Sequence, residues 1–390
     1  MPARILFVTL AGHGHVTPTL PLVTELVRRG HRVEYATGPE HADDVVAAGA
    51  DRVRLPGLPP FRPPAQVGPR IVGLWFRHFF AALRATHPLL HAHVADTAPD
   101  VIVYDETNWP ARVVAQQFGI PAVRTVPNLA SNPHWSLDER MTEGLAPDDP
   151  TMAALAEDCA AFSAEAGVPF DVAGTFDVPE EENLVFVPRA FQPAGDTFDG
   201  RYHFLGPLLG DRANREAYAP PDGARPLVYV SLGTIFTDRP GFYRTCIDAF
   251  ADGAWQVAMT VGDVDVSRLG PVPGHVDVRA RFPQLAVLRR AGVFVTHAGM
   301  NSTMEALAFG VPMVTLPQMP EQAANADRIV ELGLGERLPA EPSAADLRAA
   351  ADRVAASREV RANLDRAAVR DGGGVVRGAD LIEHRARAGR

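Results

Sequence analysis

Cysteine is scarce: Cys159 and Cys246 are the only two in 390 residues. They allow at most one disulfide and exclude both a disulfide framework and a thiolate metal cluster. Positive charge is in deficit as well. Lys and Arg total 37 against 47 Asp and Glu, a net charge of −10, which argues against a nucleic-acid partner. No apolar run approaches the roughly 18 residues of a membrane span, so no membrane association is expected. The N-terminal RILFVTLAG imitates a signal peptide only faintly, since it runs into GHGHVTP without a small-residue cleavage site. A soluble, cytoplasmic protein is the expectation. Neither GxGxxG nor GxxxxGK[ST] is present, which disfavours a dehydrogenase and phosphoryl transfer from ATP.

What is there is an α/β pattern. With 46% hydrophobic and 22% charged residues the chain is globular, and its length suggests two domains at roughly 150 residues each. Strands are expected at Arg4–Leu10, His31–Thr37, Val101–Tyr104 and Ala122–Val126. Between them fit a helix opened by Thr17-Pro18 as cap and first residue and ended by Gly30, a second over 40–49, and a third over Trp109–Phe118. A second round has strands at Leu227–Ser231, Trp255–Val261, Val276–Val278, Val293–Thr296 and Met313–Leu316. Its helices fit Tyr243–Phe250, Gln284–Ala291, Asn301–Phe309, Glu321–Glu331 and Ala344–Ala356. Residues 192–225, rich in Gly, Pro and Asp, read as a linker with flanking loops, and the proline-rich Leu55–Gly68 as a surface loop. The rhythm predicts two doubly wound, Rossmann-like domains facing each other across a cleft. Their bounds are 1–205, 206–225 (linker) and 226–375, with a C-terminal helix over 376–390 packing back on the first domain.

Chemistry is concentrated after strands. Gly12-His13-Gly14-His15 follows the first, at the carboxyl edge where ligands sit in open α/β sheets. A histidine there suits a base near neutral pH, and the plainer alternative is that both histidines satisfy turn hydrogen bonds. Asp105 ends the strand VIVY at the same edge. It is a candidate to orient an imidazole, with capping of the segment from Thr107 as the alternative and Glu106 as its competitor. In the second half THAGMNSTME follows VFVT and opens a helix. Small and hydroxyl residues at such a start offer an anion site. His297 can add a hydrogen bond to phosphate, and Glu305, a turn further on, can accept from sugar hydroxyls. The plainer alternative for Ser302 and Thr303 is capping without a ligand.

The segment PQLAVLRRAGVFVTHAGMNSTMEALAFGVPMVTLPQMPEQAANA, together with GHGHVTP, YDETNWPARV and VSLGTIFTDRPGFYR, resembles the UDP-glycosyltransferases. It is most similar there to the bacterial macrolide glycosyltransferases of the inverting GT-B type. The resemblance implies that His15, not His13, is the base on an acceptor hydroxyl and that Asp105 orients it. It implies donor contacts from His297, Ala298, Gly299, Asn301 and Ser302 to the diphosphate and from Glu305 to the ribose. Glu321 and Gln322 would touch the sugar, and Ser231, Gly233 and Thr234 would line the diphosphate opposite. Arg281 stands where many relatives carry a base-stacking Trp, leaving Arg281 or Phe282 to stack beside Gln284. Glu321 stands where Asp is common.

The resulting expectation is an inverting, metal-independent hexosyltransferase without a cofactor, UDP-glucose being its co-substrate. The acceptor is a hydrophobic macrolide, polyketide or phenolic aglycone, held among Trp75, Phe79, Asn128 and Trp135. The alternatives are a TDP-deoxysugar-dependent antibiotic glycosyltransferase or a nucleotide-sugar epimerase or hydrolase. Partners are the two small molecules, and the chain is expected as a monomer or homodimer.

Overall fold

A computed structural model describes residues 2–9, 12–57, 71–143, 145, 149–172, 178–212, 217–220, 225–367 and 373–388. Most of the loop expected over 55–68 lies outside them. The chain divides into two units, Met1–Leu208 with Asp371–Arg390, and Leu209–Arg370.

The first unit is built on a seven-stranded parallel sheet: β1 (Arg4–Val8), β2 (Arg32–Thr37), β3 (Asp51–Arg54), β4 (Val101–Asp105), β5 (Ala122–Val126), β6 (Asn183–Val185) and β7 (Tyr202–Phe204). Its order is β3-β2-β1-β4-β5-β6-β7. Side-chain alternation along β1 feeds two cores. Ile5 and Phe7 pack with Leu22, Leu26 and Ile382 on one face, whereas Leu6 and Val8 pack with Leu90, Val94 and Val114 on the other. Each such fully buried side chain contributes about 1.5–3 kcal/mol, which is why both faces must be covered by helices.

Those helices are α1 (His13–Val16), α2 (Leu20–Arg28), α3 (Ala42–Ala47), α4 (Ile71–Thr97), α5 (Trp109–Phe118), α6 (Leu137–Thr142) and α7 (Pro150–Ala166). The helix expected to open at Thr17-Pro18 instead begins at His13. Thr17 makes no side-chain cap and starts a 3₁₀ turn, Thr17–Thr19, that joins α1 to α2. Pro18 is accommodated at the start of that 3₁₀ turn, where a missing N–H costs least. Residues 192–225 are not wholly linker, since β7 lies within them.

The second unit carries a six-stranded parallel sheet: β8 (Leu227–Ser231), β9 (Gln256–Thr260), β10 (Val276–Arg279), β11 (Ala291–Thr296), β12 (Met313–Thr315) and β13 (Gly335–Arg337), in the order β10-β9-β8-β11-β12-β13. Its helices are α8 (Pro240–Ala249), α9 (Gln284–Leu288), α10 (Met300–Ala308), α11 (Pro320–Glu331), α12 (Ala344–Ala356) and α13 (Arg358–Ala367). Val228 and Val230 face one core with Phe242, Cys246 and Leu347, while Tyr229 stacks on Phe294 at 5.0 Å.

The last helix, α14 (Gly374–Ala388), belongs to the first unit. A Cβ at Gly374 would lie 2.4 Å from the Leu205 carbonyl oxygen, and one at Gly378 2.7 Å from Leu22, so glycine is what lets α14 lie this close. Arg29, just after α2, pairs with Asp380 and Glu383 on it, and His31 meets Glu383 at 2.9 Å. Both cysteines are buried and free. No described helix is long and apolar enough to cross a membrane.

Candidate active site

In each sheet the strand order reverses at one point, and in an open α/β sheet that is where the loops at the carboxyl edge part to admit a ligand. In the first unit the reversal falls between β1 and β4, paired in parallel with Val8 opposite Tyr104. His15, on α1 just beyond β1, and Asp105, the last residue of β4, are therefore brought together: His15 Nδ1 lies 2.8 Å from Asp105 Oδ2. The carboxylate only accepts, so Nδ1 carries the hydrogen, and in the neutral ring the lone pair is then on Nε2. Asp105 is wholly buried while His15 retains about a quarter of its side-chain exposure.

The other Asp105 oxygen accepts from the Thr107 backbone at 3.0 Å and from its hydroxyl at 2.5 Å. Asp105 thus joins both roles read from the sequence, bracing the turn with one oxygen and the imidazole with the other. The cap of α5 is Asn108, which accepts from Ala111. Glu106 joins β5 through its backbone.

The aromatic residues split by face. Phe76 and Phe80 are buried in α4; Trp75 and Phe79 are half-buried, their rings 5.3 Å apart, with Phe79 edge-on to Trp109 at 5.8 Å. Asn128 is half-buried and its Oδ1 is enclosed without a hydrogen-bond partner. Trp135 bridges back to Asn132 beside a hollow of about 720 Å³ lined by Ser131, Asp138 and Tyr202 among others. Neither His15 nor Asp105 lines that hollow. Asp138 is a carboxyl that burial pushes up to about 6, against the pull of Arg124 and a bond with Ser131.

In the second unit the reversal falls between β8 and β11, where Ser231 pairs with Thr296. The turn after β8 and the His297 loop therefore emerge side by side. Gly233 (φ +80°) and Gly299 both face the His297 ring: an added Cβ would lie 2.7 Å from its Nε2 at the first and 2.4 Å at the second. Loss of water pushes the His297 pKa down to about 4, partly offset by a backbone hydrogen bond at Ser231. The ring is neutral at physiological pH, and its Nδ1 is buried without a partner.

Ala298 holds a left-handed φ of +62°, fixed by its N–H to Thr296 Oγ1 at 3.3 Å and its carbonyl to Asn325 Nδ2 at 3.0 Å. From Gly299 onward α10 starts without any side-chain cap. Ser302 is not a cap, because its hydroxyl accepts from Gln284 Nε2 at 3.0 Å. An uncapped start of this kind presents amide donors and the positive end of the helix dipole.

Glu305, 2% exposed, gathers three donors: Asn301 at 3.1 Å, Gln284 at 2.7 Å and Arg212 at 3.1 Å. Gln284 is held in turn by Tyr229 at 3.2 Å. Glu321 accepts from Asn325 at 3.0 Å, and Gln322 from the Gln318 backbone at 2.9 Å. Thr234 and Arg281 are exposed. Phe282 is covered by Arg279, whose guanidinium lies 4.7 Å from the ring. Arg212, Arg279 and Asn325 escape a reading by sequence. Asn325 stood within the NA of the long motif, whereas nothing local marks the two arginines.

Residues 209–367 match the UDP-glucoronosyl and UDP-glucosyl transferase family. The chain is 38% identical to demethyllactenocin mycarosyltransferase of Streptomyces fradiae, over 98% of this chain and 86% of the relative. It is equally 38% identical to oleandomycin glycosyltransferase of Streptomyces antibioticus, over 98% and 90%. Among solved structures, the glycotransferase of kitacinnamycin superposes with a TM-score of 0.88 at 37% identity, covering 98% of this chain and 99% of the other. Two parallel doubly wound units with ligand-ready loops at each reversal point are those of a GT-B glycosyltransferase. The chain belongs to the UDP-glucoronosyl and UDP-glucosyl transferase family, in its macrolide glycosyltransferase-like branch.

Proposed function

We propose that this glycosyltransferase moves a hexose, with inversion, from a nucleoside diphosphate to a hydroxyl of a hydrophobic aglycone of the antibiotic type. The observation that carries the reading is the His15–Asp105 pair, 2.8 Å apart at the carboxyl ends of the two strands flanking a reversal point. His15 Nε2 takes the acceptor proton as that oxygen attacks the anomeric carbon, and Asp105 stabilises the imidazolium that results. General-base help of this kind contributes about 10²–10⁴-fold. The departing diphosphate is assigned to the uncapped start of α10 and to neutral His297, which serves as a hydrogen-bond donor rather than a cation. No cofactor beyond the nucleotide sugar enters the scheme. The names of the two relatives, one for oleandomycin and one for a demethyllactenocin, support the acceptor class.

For the donor, UDP-glucose is the first reading. A thymidine-diphosphate sugar is the second, favoured by a relative named for transferring mycarosyl rather than glucosyl. His15→Ala should abolish transfer to an aglycone while leaving nucleotide affinity unchanged, and Asp105→Asn should lower kcat by about 10²–10⁴. A His15→Ala enzyme that keeps most of its activity defeats the assignment. Thermal shifts with UDP- and TDP-sugars separate the donor readings, since a ligand at 100 times its Kd stabilises by about 2.7 kcal/mol.

A further inference from the structure

The GHGH segment holds a second histidine that the proposed reaction does not use. His15 turns to Asp105, whereas His13, two residues earlier on the same turn of α1, meets His41 with ring centroids 6.3 Å apart. We propose that His13, His41 and Asp44 form a binding site for a divalent cation of the zinc, copper or nickel type. One ligand atom from each lies within 4.8 Å of the other two. The three come from separate pieces of the first unit: α1, the 3₁₀ turn Pro39–His41 after β2, and the first turn of α3.

His41 is the anchor. Its side chain is 8% exposed, and its Nε2 is buried without a hydrogen-bond partner. Its Nδ1 stands 4.0 Å from Asp44 Oδ2, too far for a hydrogen bond. Metal bonds of about 2.1 Å at a tetrahedral angle hold donors roughly 3.4 Å apart. A modest closure of the exposed His13 and Asp44 side chains therefore brings the three to coordination distance.

Two imidazoles and one carboxylate suit borderline transition metals rather than magnesium or calcium. An occupied site would tie the short helix bearing His15 to α3.

The test is calorimetric titration of zinc chloride into chelator-treated, tag-free enzyme, compared across His13→Ala, Asp44→Asn and His15→Ala. His13 and Asp44 are exposed, so their loss leaves the core untouched, and metal-free melting temperatures check this. The expected result is one equivalent of zinc bound by the wild type and by His15→Ala. Affinity should fall at least about tenfold in His13→Ala and in Asp44→Asn. Absence of binding, unchanged affinity in these two variants, or loss on His15→Ala instead would each overturn the site.

Discussion

Replacing Gly299 with alanine sets a methyl group against the His297 imidazole, 2.4 Å from Nε2 and 2.9 Å from Cε1. Ordinary contact begins near 3.4 Å, so something must yield by about 1 Å. The ring has little room for it, because a Cβ at Gly233 would already lie 2.7 Å from the same two atoms. The Gly299 backbone, at φ −61°, accepts alanine without strain, so the cost is steric and falls in the range of overpacking, about 1–3 kcal/mol. Gly233→Ala adds roughly 1 kcal/mol for its left-handed backbone. The decisive measurement is a double-mutant cycle. In a His297→Ala background the methyl group has space, and Gly299→Ala should become neutral or slightly stabilising, giving a coupling of about 1–3 kcal/mol. Urea unfolding followed by hydrogen exchange of the β8 and β11 amides reads the second unit separately from the first. An equal penalty with and without the imidazole would refute the argument.

Two further outcomes concern charge. His297, held near 4 when folded and ordinary at about 6.5 when unfolded, takes up its proton later in the native state. Its contribution is complete above about pH 6.5 and disappears as pH falls towards 4. Because the residue keeps some contact with water, the swing should be about 1–2 kcal/mol, and melting curves of His297→Gln should lack it. Arg212→Met leaves the buried Glu305 with only its two amide donors, and since Arg212 is itself partly exposed the loss should be about 1–3 kcal/mol by calorimetry. Arg212→Lys should restore part of it, and an unchanged melting temperature in Arg212→Met would show the pair to be idle.

Much of this arrangement could be read from residues alone where the signal is local. β5, β8, α5 and α12 begin and end where their apolar pattern and caps say they should. Among the three-residue strands, β12 was legible from the apolar run Met313–Leu316, whereas β6, β7 and β13 are too short to show any period. The long α4 was hidden because its first turns carry apolar residues at successive positions rather than in one stripe, and Pro88 lies inside it. Pro18 misled in another way, since a proline marks the first turn of a helix only when the backbone before it is not already helical. His15, Asp105 and the HAG loop were legible because each directly follows a strand. Arg212 was not, for it reaches Glu305 across 93 residues of sequence, and only the path of the chain brings it there.

That path has a practical side for anyone recombining such enzymes. The polypeptide leaves its first unit near residue 208 and returns to it near residue 371, so the unit is assembled from two distant stretches. A chimera that exchanges halves at a single splice point would pair one parent's α2 with another parent's tail. It would set foreign side chains against Gly374 and Gly378 and strand Arg29 without Asp380 and Glu383. Grafts should instead be cut at both crossings, so that the amino-terminal portion travels with its own closing helix.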